Sequence, residues 1–312
     1  MDPQKNKTIL PIAILIGLVS VSTASIFIRF AQEEAPSIAI AALRLIFATV
    51  LIAPIAIKSN FKEIISLSRK EYCLILFSGF FLALHFASWI SSLEYTSIAS
   101  SVVLVSTGPL WVAILSPLLP QENFKKISFI GIFIAIIGGI VITLGDSNYI
   151  QMNSSISFFQ SQLNQRSMIG NLLALSGAIS VTGYLLIGRF LRVRISLLTY
   201  IFMVYGIAAL FLSLLMIVTS ISPFGYSSIT YLWIFLIALV PQVIGHSTYN
   251  WALKFLPASL VAILTLGEPI GTTILAMIIL GEFPGVIKLV GMILILTGIY
   301  FVSRINQKEV TS

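Results

Sequence analysis

Apolar residues of the chain fall into ten runs, each long enough to cross a lipid bilayer as a helix. A helix needs about 20 apolar residues for this, because it rises about 1.5 Å per residue through a hydrocarbon layer about 30 Å thick. The predicted spans are 9–30, 37–57, 72–92, 98–118, 127–145, 169–190, 196–219, 228–251, 257–280 and 285–304. Most intervening segments are short, which is typical of antiparallel neighbours in a bundle. The pattern predicts an all-α membrane protein with ten transmembrane helices.

Small, polar and charged residues in and beside these runs recur 160 positions later without a gap. The recurring pairs include Gly17 with Gly177, Arg29 with Arg189, Pro109 with Pro269, Glu122 with Glu282, and Gly138 with Gly298. Such matches are not expected by chance between Leu- and Ile-rich segments, and internal duplication is common in secondary transporters. We therefore divide the chain into a first five-helix repeat (1–145), a polar linker (146–168), a second five-helix repeat (169–304) and a tail (305–312).

Basic residues are distributed unevenly between the two sides of the predicted bundle. If the N-terminus is cytoplasmic, the cytoplasmic side carries Lys5, Lys7, Lys58, Lys62, Arg69, Lys70, Lys125, Lys126, Arg189, Arg192, Arg194, Lys254, Arg304 and Lys308. The other side keeps Arg166, with Arg29 and Lys288 near helix ends. Because cytoplasmic loops are enriched in Lys and Arg, both termini are predicted in the cytoplasm of a multi-pass protein of the plasma or inner membrane. Five spans per repeat is an odd number, so the second repeat is predicted to be inverted.

The composition excludes several other classes of protein. Hydrophobic residues make up 58% of the 312 residues and charged residues 9%, whereas a soluble domain has about 25% charged residues. The net charge of +7 comes from basic residues scattered between apolar spans, so no nucleic-acid partner is expected. The single Cys73 excludes a disulfide framework within the chain. There is no P-loop, no nucleophile paired with a base and no His-Glu-x-x-His motif, so we predict no catalytic residue, no metal site and no cofactor.

Two charged residues lie deep in the predicted spans, Arg44 in the second and Glu268 in the ninth. A charge at the bilayer centre costs roughly 2.5–3.5 kcal/mol on insertion scales, so each of these residues needs a compensating partner. One hypothesis is a structural ion pair that joins two helices. The other is a substrate site, in which Arg44 receives a carboxylate or Glu268 receives a cation or proton.

Polar residues of the third and eighth spans form stripes at helical spacing. The third span has His85, Ser88, Trp89 and Ser92, and the eighth has Gln242, His246, Tyr249 and Asn250. Because unsatisfied polar groups are costly in lipid, both stripes should face protein or water, and together they predict a shared polar cavity. The alternatives are packing roles for the histidines and interfacial anchoring for Trp89 and Tyr249. A gate formed by these two aromatic residues is a further alternative.

Proline occupies equivalent places in the fourth and ninth spans, at Pro109 and Pro269. A proline inside a helix removes a backbone hydrogen bond, so both spans are predicted to kink there. Glu268 directly precedes Pro269, and Thr265 lies three residues earlier on the same face. We therefore add Thr265 to the candidate substrate site.

The fifth and tenth spans contain few polar side chains and several glycines, among them Gly138 and Gly298. We predict that they pack through these glycines at the periphery of the bundle. The alternative is that these two spans form the interface of a homodimer.

The motifs named above resemble those of the drug/metabolite transporter superfamily, specifically its EamA-type branch. The resemblance covers about residues 9–304. It rests on Arg44, on the segment from Trp89 to Thr96, on Pro109, on the segment from Leu253 to Ser259, and on Glu268-Pro269 followed by Gly281-Glu282. The resemblance implies a ten-helix inverted-repeat transporter with a central cavity, related to exporters of amino acids and other metabolites. The first repeat departs from a symmetric pattern, because Gly108 stands where the second repeat has Glu268.

The leading interpretation is a secondary transporter that exports amino acids or related small polar metabolites by alternating access, with protons or another ion as candidate coupling partners. A multidrug or cationic-solute exporter is the alternative, with Glu268 as the residue that receives the cation. An intramembrane enzyme is a different class, and the absence of catalytic motifs argues against it.

Overall fold

The computed structural model describes residues 3–115, 126–146 and 165–306, and within these ranges every regular element is helical. The first part of the chain forms α1 (Pro3–Ser22), α2 (Ala24–Ala31), α3 (Ser37–Ile65), α4 (Arg69–Tyr95), α5 (Ile98–Val105), α6 (Gly108–Leu115) and α7 (Lys126–Asp146). Most of the predicted linker (146–168), most of the tail (305–312) and the whole segment containing Glu122 lie outside the described residues.

The second part of the chain repeats this order with two π-helical interruptions. Its elements are α8 (Gln165–Arg192), α9 (Leu197–Val218), α10 (Ser228–Ile237), a π-helix (Ala238–His246), α11 (Ser247–Ala252), α12 (Ala258–Leu264), α13 (Gly267–Leu275), a second π-helix (Ala276–Leu280) and α14 (Val286–Asn306). The eighth predicted span therefore consists of α10, the first π-helix and α11, and the ninth of α12, α13 and the second π-helix.

Seven helical segments of the described chain are long and apolar enough to cross a membrane. They are Leu10–Ala31, Ser37–Ile65, Arg69–Tyr95, Gln165–Arg192, Leu197–Val218, Ser228–Ala252 and Ala258–Leu280. Shorter apolar helices lie at Ile98–Val112, Phe133–Ile142 and Val286–Gly298, in the fourth, fifth and tenth predicted spans. The prediction of an all-helical membrane protein is confirmed, and the count of ten transmembrane helices stays a prediction.

Serine caps fix where several helices begin. The side chains of Ser68, Ser97, Ser196 and Ser227 each accept a hydrogen bond from the backbone three residues later. Such a cap satisfies one of the first N–H groups of a helix, which have no partner inside it. The caps at Ser68, Ser97 and Ser196 each end a connection of two to four residues, and the cap at Ser227 ends a longer one of nine residues. Such short connections are typical of antiparallel neighbours in a bundle.

Contacts at one end of the bundle show the relative direction of the repeats. Arg29, near the end of α2, donates to the Thr96 carbonyl at 3.4 Å, and Arg166, in the first turn of α8, donates to the Glu94 carbonyl at 3.3 Å. Both carbonyls lie at the end of α4. The first span therefore ends at the side of the bundle where the sixth begins, so these equivalent helices run in opposite directions.

The two repeats interlock by exchanging equivalent contacts. Helix α4 packs along α8, and correspondingly the π-helix and α11 pack along α1. Helices α7 and α14 pack mainly on each other, and a Cβ atom on Gly138 would lie 2.8 Å from the Gly291 carbonyl oxygen. Glycine permits this close approach, and the opposite face of α7 exposes large apolar side chains such as Phe133. These two helices therefore lie at the periphery, as predicted.

Candidate substrate cavity

A cavity lies inside the bundle, and both repeats contribute to its wall. Its lining residues are His85, Trp89, Val105, Ser106, Gly108, Val181, Tyr184, Leu185, His246, Tyr249, Ala262, Thr265 and Glu268. The cavity has a volume of about 60 Å³ for the centres of water molecules. Since one water needs roughly 10–15 Å³ by this measure, the cavity holds a few waters or a ligand of comparable size.

The predicted stripes of the third and eighth spans meet in this cavity. The ring centroids of His85 and His246 are 6.4 Å apart, and each histidine is followed along its stripe by an aromatic residue of the wall, Trp89 or Tyr249. The side chain of Ser88 is buried, but it is not among the lining residues. The structure thus brings together four of the eight stripe residues at the cavity wall.

His85 is held in place by α8. Its Nδ1 lies 2.9 Å from the Gly177 carbonyl oxygen, and because a carbonyl only accepts, Nδ1 must carry the proton. The ring stacks on Trp89 with centroids 5.8 Å apart and planes 16° apart. Gly177 permits this arrangement, since a Cβ there would lie 3.3 Å from the Trp89 Cβ. The repeated glycine found in the sequence therefore brings α8 close to the cavity face of α4.

The fourth and ninth spans break beside the cavity at equivalent places. Helix α5 ends at Val105 and α6 begins at Gly108, while α12 ends at Leu264 and α13 begins at Gly267. The breaks come just before Pro109 and Pro269, because a proline has no N–H to donate to the carbonyl four residues earlier. The predicted interruptions are therefore present, and they bring two half-helices to the cavity by their N-terminal ends.

Glu268 lies in the first turn of α13, where it is half-buried and lines the cavity. Its backbone N–H donates to the Thr265 carbonyl at 2.9 Å, which bridges the break between α12 and α13. The Thr265 hydroxyl donates to the Ala262 carbonyl at 2.7 Å and also lies at the wall. A carboxylate at a helix N-terminus is stabilised by the helix dipole, so the dipole of α13 offsets part of the cost of burying a negative charge at Glu268.

Arg44 lies in α3 behind the aromatic wall and is not among the lining residues. It is fully buried, its Nε donates to Gln242 Oε1 at 2.8 Å, and its Cζ lies 4.0 Å from the Phe86 ring centroid. Both Nη atoms lack a hydrogen-bond partner, and no salt bridge joins Arg44 to Glu268 within the described residues. Arg44 and Glu268 therefore interact by longer-range electrostatics and not by direct contact.

Gln242 and Asn250 support the wall from behind. Asn250 accepts from the Tyr184 hydroxyl at 2.7 Å and donates to the Tyr205 hydroxyl at 3.3 Å, and its carbonyl accepts from Arg192 Nε at 3.0 Å. All these groups are buried. The structure thus places two of the predicted site residues in a supporting network, in which Asn250 holds Tyr184 at the cavity.

Sequence reasoning missed Tyr184, Ser106 and Arg192. Tyr184 lies seven residues after Gly177, on the same face of α8, and this spacing would have indicated its position. Ser106 lies in the break before Gly108-Pro109. Arg192 counts as a loop residue by position, yet only 2% of its surface is exposed, because backbone carbonyls of Asn250 and Ile195 accept from it.

Hydrogen-bonding capacity remains unused at the wall. The Trp89 Nε1 and Tyr249 hydroxyl are buried and have no hydrogen-bond partner in the described part of the chain, although both residues line the cavity. Behind the wall, Gln242 Nε2 is also buried and also has no hydrogen-bond partner among the described residues. Buried polar groups are nearly always satisfied, so unsatisfied ones beside a cavity call for a water or a ligand. The arrangement suits reversible binding of a small polar molecule.

Comparison with known proteins gives the same picture over the whole chain. The EamA-like transporter family matches the chain twice, over residues 8–144 and 168–304. The chain is 25% identical over 306 residues to the uncharacterized transporter YetK of Bacillus subtilis, which covers 96% of this chain and 87% of YetK. It is also 31% identical over 94 residues to the thiamine-repressible mitochondrial transport protein THI74 of Saccharomyces cerevisiae, covering 30% of this chain and 23% of that protein.

A solved crystal structure shares the fold, with a TM-score of 0.64 and 17% identity over 95% of this chain and 98% of the other. The two family matches are offset by the same 160 positions as the repeat found in the sequence, so the resemblance inferred from the motifs is confirmed. The chain is a membrane protein made of two such units, and it belongs to the EamA-like transporter family.

Proposed function

We propose that the protein is a secondary transporter that exports small zwitterionic metabolites, amino acids or closely related compounds, across the cell membrane by alternating access. The observation that carries the proposal is the cavity between the repeats, whose wall combines Glu268 with buried, unpartnered polar groups of both repeats. Secondary transporters built from inverted repeats bind substrate near the midplane where the repeats meet. Membership of a transporter family also argues against an intramembrane enzyme.

The charges around the cavity favour a zwitterion. Glu268 is the carboxylate among the lining residues, and Arg44 lies behind Phe86 and Trp89 with both Nη atoms unpartnered. A ligand that carries one negative and one positive group compensates the charges of Arg44 and Glu268 together. A ligand with a single charge of either sign leaves one of the two uncompensated. The small inner volume also suits a metabolite better than a large drug.

A cationic solute is the second candidate, and the aromatic wall is the observation in its favour. His85, Trp89, His246 and Tyr249 surround the same space as Glu268. Aromatic faces attract cations, and together with one carboxylate they form a suitable environment for a quaternary amine. The field of Arg44 opposes this ligand, which is why the zwitterion is preferred.

The proposal includes a topology and a transport cycle. We infer ten spans in two inverted repeats, with both termini in the cytoplasm of the plasma or inner membrane, and a homodimer through the α7 and α14 faces as the oligomer to test. At the end of the bundle that we assign to the outside, Arg29 and Glu282 form a half-exposed salt bridge at 3.3 Å. This pair links the first repeat to the second, and we propose that it breaks when the cavity opens to the outside.

The direct test is transport by the purified protein in proteoliposomes. The twenty protein amino acids and a set of quaternary amines are tested for uptake and efflux, each with and without a pH gradient. Saturable transport of amino acids is expected, and stimulation by the gradient would identify protons as the coupling ion. Transport of amines alone would replace the first candidate with the second, and transport of neither class would refute both.

A further inference from the structure

The equivalent residues Gly108 and Glu268 create an asymmetry at the cavity. Both line the same space, each directly precedes the proline of its repeat, and each lies in the first turn of a half-helix. Helix α13 has the Glu268 carboxylate in its first turn, whereas α6 has no acidic residue in its first turn. The second repeat therefore supplies its own anion at the helix N-terminus, and the first repeat supplies none.

The position at Gly108 has room for additional atoms. A Cβ atom there would meet Val181 Cγ1 at 3.8 Å and Thr182 Oγ1 at 3.9 Å, which are ordinary van der Waals distances. Many other glycines in the described helices lie much closer to a neighbour; at Gly183, for example, a Cβ would lie 2.9 Å from the Phe81 ring. Close packing therefore does not explain glycine at position 108, and a side chain there would take up room in the part of the cavity wall that Gly108 forms with Val181.

Two independent observations indicate what occupies this space. The eight-residue helix α6 presents the positive end of its dipole, where anions are stabilised. The buried Trp89 Nε1, which belongs to the same cavity, is a donor without an acceptor, and the guanidinium of Arg44 lies behind the Trp89 ring with its Cζ 5.9 Å from the centroid. The helix dipole and the Arg44 guanidinium favour a negative charge here, and the Trp89 Nε1 calls for an acceptor, so a carboxylate would satisfy all three.

We propose that the substrate supplies this missing anion: its carboxylate binds at the N-terminus of α6, in the space left by Gly108, while its ammonium group faces Glu268. This inference rests on the proposed function and specifies it, because it makes Gly108 the residue that selects for a carboxylate. The bound substrate would restore charge symmetry between the repeats, with one carboxylate at each half-helix.

The test converts the first repeat to the charge pattern of the second. Wild type, Gly108→Glu and Gly108→Gln are reconstituted and tested for uptake of each protein amino acid and of its carboxamide, which keeps the ammonium and lacks the negative charge. Gly285→Glu is the matched control, because position 285 is exposed, lies outside the cavity and has no atom within 4 Å of a Cβ built on it. Thermal unfolding in detergent reports whether each variant is folded.

Gly108→Glu is expected to reduce amino-acid uptake by about tenfold or more, since two carboxylates cannot share the space, and to gain uptake of the carboxamide. Gly108→Gln should also lose amino-acid uptake, but without gaining the carboxamide, because it has the same size and no charge. Gly285→Glu should behave as wild type. If Gly108→Glu does not fold, the shorter Gly108→Asp provides the same comparison.

Two results would contradict the inference in different ways. Wild-type amino-acid uptake that persists in Gly108→Glu would overturn the role of Gly108 and leave the proposed function intact. A wild-type protein that transports no amino acid would overturn the proposed function, and this inference with it. A Gly108→Glu protein that loses amino acids and gains no carboxamide relative to Gly108→Gln would show that the glycine provides space only, and would also overturn the inference.

Discussion

The two repeats share their helices and differ in the chemistry that those helices carry. Both have a close-packed glycine in the first span, a polar face in the third and a proline break in the fourth. At positions offset by 160 residues, however, polar or charged residues stand opposite apolar ones: Arg44 opposite Val204, Gln242 opposite Leu82, His246 opposite Phe86, and Glu268 opposite Gly108. The two repeats thus share a scaffold, while the side chains around the cavity are asymmetric, as the proposed zwitterionic substrate would require.

The third and eighth spans show how one of these differences arises. Helix α4 is continuous from Arg69 to Tyr95, whereas the eighth span contains a π-helix over Ala238–His246 with Pro241 inside it. A π-helical turn holds an extra residue and rotates the side chains that follow, and such turns are frequent at functional sites. This segment carries Gln242, the partner of Arg44. In these two spans, the difference in side-chain chemistry is therefore accompanied by a difference in backbone conformation, because the eighth span contains this π-helix and the third is a continuous α-helix.

The largest expected effect is all-or-none labelling of introduced cysteines, and it tests whether the second repeat is inverted relative to the first. With Cys73 replaced by Ser, Ser59→Cys and Ser312→Cys should be labelled by a membrane-impermeant reagent only from the cytoplasm, and Ser155→Cys only from outside. Ser59 is exposed near the end of α3, so labelling there is not limited by burial. Labelling of Ser59→Cys and Ser155→Cys from the same side would contradict the inverted topology.

The next effect tests the two charges. Glu268→Gln should reduce amino-acid transport by about thirtyfold or more, because the ammonium group then has no counter-charge inside the cavity. Arg44→Gln should be comparably severe for a zwitterion and mild for a cation, since Arg44 repels a cation. Initial rates in proteoliposomes at matched protein amounts measure both. Near wild-type rates in Glu268→Gln would remove this residue from the site.

Stability separates a structural from a functional Arg44. The double variant Arg44→Met/Gln242→Leu replaces a buried, incompletely paired cation and its partner with apolar residues, and Leu is the residue at the equivalent of position 242 in the first repeat. Its free energy of unfolding should be unchanged or higher by up to about 4 kcal/mol, while transport is lost. Arg44→Met alone should be less stable than the double variant by about 1–3 kcal/mol, because Gln242 is left without a partner. Denaturation in detergent measures both, and a strongly destabilised double variant would indicate a structural role.

Replacing either of the two equivalent prolines should have a smaller effect on transport, and the two variants can be compared directly. Pro269→Ala restores a backbone donor that favours a straight ninth helix by about 1 kcal/mol, so transport should slow by about fivefold as the Glu268 carboxylate moves away from the cavity. Pro109→Ala should slow transport less, because the preceding Gly108 has no side chain to displace. Rates are compared at equal insertion into the membrane. Equal effects of the two substitutions would show that both prolines serve packing or movement alone.

The smallest effect is expected outside the membrane, at Glu34. Its carboxylate accepts from the Ser227 backbone N–H and from the Thr230 hydroxyl, each at 2.8 Å, and these hydrogen bonds hold the pKa of Glu34 below its usual value of 4.5. A lowered pKa stabilises the fold above pH 4.5, and this contribution is lost as the pH falls through the folded-state value. The Tm of Glu34→Ala should be slightly below that of wild type at pH 6, and the difference should shrink in acid. A difference independent of pH would contradict a role for the charge.

The helical membrane architecture, the repeat and the helix breaks could be predicted from the sequence because each depends on local pattern, whereas the count of ten spans stays a prediction. Run length and hydropathy identify membrane helices, a constant offset identifies duplication, and Pro109 and Pro269 interrupt their helices through backbone chemistry alone. The polar stripes could also be predicted from the sequence, because residues spaced at i, i+4 and i+7 lie on one face of a helix regardless of what packs against that face. Glu268 was found because a carboxylate inside an apolar run is costly anywhere.

Only the tertiary structure decided which of these residues reach the cavity. Arg44 lies behind Phe86, Asn250 holds Tyr184, and Tyr184 itself, which belongs to neither polar stripe, lines the wall. These outcomes depend on how far α8 approaches α4 at Gly177 and on the π-helix that carries Gln242. A sequence pattern gives the face of a helix, but the distance and rotation between two helices follow from all the side chains packed between them.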